Sequence, residues 1–183
     1  DYAGNQGTSD WAYSVAVPSS GSTTSESGGG GISSLTNSQT IVIPSASPEL
    51  EVNFSNFKEE SVITEIIFDV KNTTTNAILR ILEYSKAPPG NTTSYPENVY
   101  RYVRINTNNV NENLEKATVA FRVEKSWVSE KNLDKGNPSL FRFDENSSKW
   151  EELDTIYNYE DDDFYYYTSE LDHFSLFAIS EGT

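Results

Sequence analysis

Large apolar side chains recur at alternate positions along this chain, in short runs separated by polar, Pro- or Gly-containing breaks. A period of two residues marks a strand with one buried face. Thr40–Ile43 and Leu50–Phe54 read as strands on either side of a break at Pro44–Pro48. Val62–Val70 and Ala77–Tyr84 follow, separated by the turn-like stretch Lys71–Asn76. Pro88, Pro89, Gly90 and Pro96 bracket a loop, after which Val99–Asn106 and Ala117–Val123 resume the alternation. Ser126–Lys131 reads as a single helical turn with Ser126 as its N-cap. Two hairpins come next, Leu140–Phe143 with Lys149–Leu153 and Thr155–Tyr159 with Phe164–Thr168, and the last strand is Phe174–Ile179. About eight to ten short strands with polar turns and no long helix predict an all-β fold, an immunoglobulin-like antiparallel β-sandwich.

One alternating segment stands apart near the N-terminus. Trp11, Tyr13, Val15 and Val17 alternate with the small residues Ala12, Ser14 and Ala16, and no hairpin partner adjoins them. Between Pro18 and Thr40, 17 of 23 positions are Ser, Thr or Gly, centred on Gly28–Gly31. Such a stretch cannot bury enough apolar surface to offset its ordering entropy and reads as a flexible tether. The expected organisation is an arm over 1–17, a tether over 18–40 and a sandwich domain over 41–183. The arm either folds back onto its own domain or completes the sheet of a neighbour, as in strand-addition complexes. From Pro18 to Gly31 the extended chain reaches roughly 45 Å, so both destinations are in range. The sharper expectation is donation, with Trp11, Tyr13, Val15 and Val17 as the subunit-interface strand. Burying those four side chains contributes on the order of 6–10 kcal/mol before entropy costs.

Composition narrows the function classes. A chain of 183 residues allows one ordinary domain, or one domain plus an arm. Acidic side chains number 28 against 13 basic, a net charge of −15, which argues against nucleic acid as a partner because phosphate binding needs a basic face. Cys and Met are absent, which removes disulfides, thiol chemistry, zinc-thiolate sites and haem attachment. The longest apolar runs are strand-sized, so no direct membrane span is expected. The first residue is Asp1 and not Met, which reads as a processed, mature start.

Candidate chemistry is sparse. Four N-x-Ser/Thr sequons begin at Asn53, Asn72, Asn91 and Asn146, and all but Asn53 fall in predicted turns, where an N-linked glycan can sit. The run Glu160–Asp163 offers carboxylates to a hard cation such as Ca²⁺ but lacks the spacing of a calcium loop, and is read first as a solvated hairpin tip whose charges keep it off other sheets. His173 is the only histidine, and no nucleophile-elbow context accompanies it. Gly28–Gly31 is not followed by the Lys-Ser/Thr of a phosphate loop. Glu151 and Glu152 are adjacent on a predicted strand and point to opposite faces, which defeats a glycosidase pairing. No catalytic constellation and no cofactor site emerges, and the chain is read as a non-enzyme.

The order of the later segments resembles a known family. The stretches are Val62–Ile66, Pro88–Gly90, Val99–Tyr102, the block Leu114–Trp127, Leu140–Phe143, Trp150–Leu153, Phe164–Tyr167 and the closing His173–Ile179. Over about residues 62–179 this set resembles the PGF-pre-PGF domain of archaeal cell-surface proteins. The resemblance implies an extracellular, surface-displayed β domain without a catalytic role. Members of that family continue into a linker and a membrane-anchoring or sorting segment; this chain runs to Thr183, just past the last predicted strand, and the expectation is a subunit held by its neighbours. The leading expectation is thus a subunit of an extracellular filament, a pilus-like fibre or sheath, built as a head-to-tail homopolymer. The alternative is a surface adhesin or carbohydrate-binding module, monomeric or attached to a cell-wall layer, with Tyr100–Tyr102 or Tyr165–Tyr167 as a stacking platform.

Overall fold

The computed structural model describes residues 34–48, 51–88 and 96–183. The predicted donor arm and residues 18–33 of the tether lie outside the described residues. Among the described residues eleven strands form two antiparallel sheets, six-stranded in the order β1-β4-β5-β11-β7-β8 and five-stranded in the order β2-β3-β6-β10-β9. The first sheet contains β1 (Leu35–Ala46), β4 (Thr74–Tyr84), β5 (Arg101–Asn108), β7 (Pro138–Asp144), β8 (Lys149–Leu153) and β11 (Leu176–Glu181). The second contains β2 (Val52–Phe54), β3 (Ile63–Val70), β6 (Leu114–Glu124), β9 (Thr155–Glu160) and β10 (Phe164–Leu171). Their inner faces meet in a sandwich.

The alternation expected from the sequence is what fills the space between the sheets. Ile66, Phe68 and Val70 of β3, Ala77, Leu79 and Ile81 of β4, and Ala117, Val119, Phe121 and Val123 of β6 are all buried, each set at every second position. Aromatic rings supply much of the bulk: Phe121 stacks on Tyr167 at 5.3 Å, and Phe68 meets Phe174 edge-on at 6.0 Å. The inner strand β11 is buried along almost its whole length. Phe177 and Ile179 join the main core, while Ala178 joins Tyr102 and Phe141 in a second, smaller cluster on the other face of the six-stranded sheet.

Three details depart from the expectations. First, β1 begins at Leu35, so residues 35–40, assigned by composition to the tether, belong to the sheet. Pairing with β4 from Leu35↔Tyr84 to Ala46↔Thr74 supplies the backbone partners that a polar stretch does not announce by itself. Second, the short helix α1 (Lys125–Glu130) starts from Glu124 and not from Ser126, with no side-chain cap. The chain runs straight out of β6, and the Lys125 N–H donates to the Asp163 carbonyl at 2.9 Å, which sets the start of the turn. Third, Lys71–Thr73 carries the chain from one sheet to the other, since β3 and β4 do not pair. The two predicted hairpins do form, β7 with β8 and β9 with β10. No helix among the described residues is long and apolar enough to cross a membrane.

Candidate functional site

The sequence-predicted positions scatter over the sandwich. Trp11, Tyr13, Val15, Val17 and Asn91 lie outside the described residues. Asn53 is exposed on the edge strand β2, where its Nδ2 donates to Glu65 Oε1 at 3.1 Å. Asn72 is exposed in the β3–β4 link, with Nδ2 donating to Asn113 Oδ1 at 3.3 Å. Its sequon hydroxyl, on buried Thr74, donates back to the Asn72 carbonyl at 3.2 Å. Asn146 is exposed in the β7–β8 turn, and its backbone N–H donates to Asp144 Oδ1 at 2.9 Å. The side chains of Asn53 and Asn72 thus have only light surface contacts, and Asn146 sits at a turn, all three within reach of solvent.

The acidic hairpin tip is organised by its own backbone. Asp161 Oδ1 accepts the Asp163 and Phe164 N–H groups at 2.9 and 2.7 Å, and Oδ2 accepts the Tyr166 hydroxyl at 2.6 Å. The bond from Tyr166, then those from the backbone, hold the Asp161 carboxyl below its usual range. Glu160 is likewise lowered, by the Tyr157 hydroxyl and then Lys135 and Lys125. These two carboxylates are occupied as turn and edge anchors. Among the described residues no group of three or more His, Asp or Glu is arranged to hold a metal ion.

The tyrosine clusters divide between core and surface. Tyr100 and Tyr102 are both buried, Tyr100 beside Trp127 at 5.2 Å and Tyr102 beside Trp150 at 6.2 Å, so this pair is not a stacking platform. Tyr167 is a core residue, while Tyr166 faces out and stacks on Tyr159 at 4.4 Å with an interplanar angle of 12°. A bulge brings that about. Tyr166 pairs with Tyr159 but Tyr167 pairs with Tyr157, which leaves Asn158 as an extra residue on β9. Tyr157 therefore turns toward Tyr167 in the core while Tyr159 turns outward. Ile156 and Tyr159, at 63% and 57%, are the most exposed large apolar side chains among the described residues. Beside them Arg122 lies over the Phe164 ring at 4.3 Å.

Two buried polar positions went unnoticed in the sequence. Glu83 is 1% exposed, and its carboxylate accepts the Ser61 hydroxyl at 2.5 Å and the Val62 and Ile63 N–H groups at 3.2 and 3.4 Å. It joins β4 of one sheet to the entry of β3 in the other. Its phase with Ala77, Leu79 and Ile81 was the available signal, since those positions face inward. Arg142 of β7 reaches Glu151 Oε2 at 2.6 Å on one side, and Asp172 and His173 on the other. Burial pushes the Asp172 carboxyl up, but the charge and hydrogen bond of Arg142, with His173, outweigh it and leave the group lowered. His173 thus belongs to an ion-pair cluster that ties β7 and β8 to the β10–β11 link. Glu152 turns away from Glu151 and accepts the Thr183 N–H at 3.2 Å, which keeps the two carboxylates apart.

No family model matches the chain, and no curated protein matches it.

Proposed function

We propose that this chain is a structural subunit of an extracellular filament of the archaeal cell surface, in which the N-terminal arm donates a strand to the next subunit. The observation that carries the proposal is the alternation of Trp11, Tyr13, Val15 and Val17, set apart by a Ser/Thr/Gly-rich tether from the eleven strands of the sandwich. A donated strand satisfies the backbone groups and the apolar surface of an open sheet edge together. Among the described residues neither antiparallel sheet closes on itself, which is compatible with such an edge. In this reading the fold is an immunoglobulin-like sandwich with an extended N-terminal strand. The domain is of the PGF-pre-PGF kind, and the exposed Asn53, Asn72 and Asn146, with Asn91, carry N-linked glycans. It has no catalytic role.

The test is assembly. Trp11→Asp leaves a folded sandwich by circular dichroism but shortens or abolishes fibres seen by electron microscopy. Normal fibres from a chain lacking residues 1–17 refute the proposal. A second reading, a surface carbohydrate binder, is favoured by the outward-facing Tyr159–Tyr166 stack. It calls for a monodisperse monomer in solution that retains glycans on an array.

A further inference from the structure

The sequon N-x-Ser/Thr demands a hydroxyl two residues after the asparagine, so whatever reads it must reach that hydroxyl as well as the amide. Asn53, Asn72 and Asn146 are all exposed, which leaves the hydroxyls to separate them. Ser55 and Ser148, which complete the first and last of these sequons, are exposed too. Thr74 is not: it is 3% exposed, and its Oγ1 donates to the Asn72 carbonyl at 3.2 Å.

The backbone of the Asn72 sequon is held at both ends. The Lys71 N–H donates to the Asn113 carbonyl at 2.7 Å, beside the bond from Asn72 Nδ2 to Asn113 Oδ1. Two residues on, Thr74 is already the first residue of β4 and pairs with Ala46 of β1. Exchanging its hydroxyl with its methyl by rotation leaves the oxygen inside, so bringing it out means undoing the start of the strand. The Asn146 sequon lies instead wholly within the β7–β8 turn, inside the last hairpin pair, Asp144↔Lys149. Glu145, Asn146, Ser147 and Ser148 are all exposed. Asp144 accepts the Asn146 N–H at 2.9 Å and also takes the Ser147 hydroxyl and, more weakly, the Asn146 amide. Those bonds are internal to the turn and open without disturbing either sheet. Asn53 is intermediate, with an exposed hydroxyl partner on a strand whose Val52 and Phe54 pair with β3.

We infer that the folded sandwich admits N-glycan transfer at Asn146 and excludes it at Asn72, so that a glycan reaches Asn72 only before β4 docks on β1. This rests on the N-glycan part of the reading above and adds the order of modification and folding. The donor is a lipid-phosphate-linked oligosaccharide. Transfer joins Asn Nδ2 to the anomeric carbon of the sugar and breaks that carbon's bond to the phosphate oxygen, which leaves with the electron pair. One Nδ2 proton is released, and nothing is oxidised or reduced. The modified amide keeps one hydrogen for Asn113, so a chain glycosylated early still folds.

The test compares the full-length chain, made in cells without N-glycosylation, with peptides spanning residues 68–78 and 142–152. Each is given the same archaeal oligosaccharyltransferase and lipid-linked oligosaccharide. Trypsin places Asn72 and Asn146 on separate peptides, so mass spectrometry reads each site alone. With each rate divided by that of its own peptide, Asn72 in the folded chain is expected to fall at least about tenfold below Asn146. Asn113→Ala frees the Asn72 amide but leaves Thr74 buried, and is expected to keep Asn72 unmodified while the sandwich stays folded by circular dichroism. Normalised rates within about threefold of each other, or recovery of Asn72 in Asn113→Ala, overturn the inference and leave the glycan reading standing. A 68–78 peptide that is not modified overturns it as well, since Asn72 is then no acceptor before folding. If neither sequon is modified in chain or peptide by a transferase active on an unrelated sequon peptide, the glycan reading falls too.

Discussion

Among the described residues, positive φ falls on Asn76, Asn98, Asn109, Asn132 and Ser148. Asparagine tolerates the left-handed region better than other residues with a side chain because its short amide bonds to the local backbone. The many asparagines of this chain thus do conformational work at the ends of strands and turns. Tyr167 shows how a single polar atom is placed in a core. Its ring stacks on Phe121 and its hydroxyl donates to the Lys135 carbonyl at 2.8 Å. Burial, and then the neighbouring Tyr165, Tyr157 and Glu160, push its ionisation well above the ordinary tyrosine value. The folded chain therefore holds this proton at a pH where the unfolded chain loses it. The corresponding stability is intact below about pH 10 and drains away as pH rises toward the folded value. Tyr167→Phe should flatten the loss of stability between about pH 10 and 12, read from urea midpoints, while costing about 1 kcal/mol at neutral pH through the lost hydrogen bond. An unchanged alkaline slope would count against this assignment.

At the scale of elements, the sandwich is held shut by a few polar bridges as well as by the apolar core. Glu83 is the clearest, because one carboxylate on β4 takes a hydroxyl and two backbone N–H groups at the start of β3. Removing it strands buried donors, at about 1–3 kcal/mol each. Glu83→Ala is expected to lower unfolding free energy by about 3 kcal/mol or more, and Glu83→Gln by less, since the amide keeps one acceptor. A loss below about 0.5 kcal/mol in Glu83→Ala would show that water replaces the bridge. The strands themselves were legible from alternation. Their pairing was not, and neither were the bulges: the register shift between Ile63 and Glu65 lets Ile63 and Ile66 both face inward, out of simple phase. Asn158 does the same on β9 and turns Tyr159 outward. A bulge adds one residue to one strand against its partner, so it is a property of two strands and leaves no mark in either alone.

For the whole molecule, the governing quantity is a net charge of −15. Copies of so acidic a chain repel one another at low ionic strength, and salt shortens the range of that repulsion from about 30 Å at 0.01 M to about 3 Å at 1 M. If the subunit polymerises as proposed, light scattering should report longer assemblies and a lower critical concentration as salt rises. Assembly that weakens with salt would mean that attractive ion pairs, and not apolar strand insertion, hold the copies together. The candidate site was legible only in part. The N-terminal alternation announces a strand without a hairpin partner beside it, whereas which strands stand at the margins of the described sheets follows only from the strand order.

The division between the two kinds of information has a physical cause. Periodicity, turn residues and composition are local, and they determined that the chain is built of short strands, that Phe, Tyr and Ile fill its interior, and that cysteine chemistry plays no part. Strand order, bulges and the buried Glu83 bridge arise from contacts between residues far apart in the chain. Only the folded sandwich decided those, because a hydrogen-bonding edge or a buried carboxylate is defined by what stands opposite it.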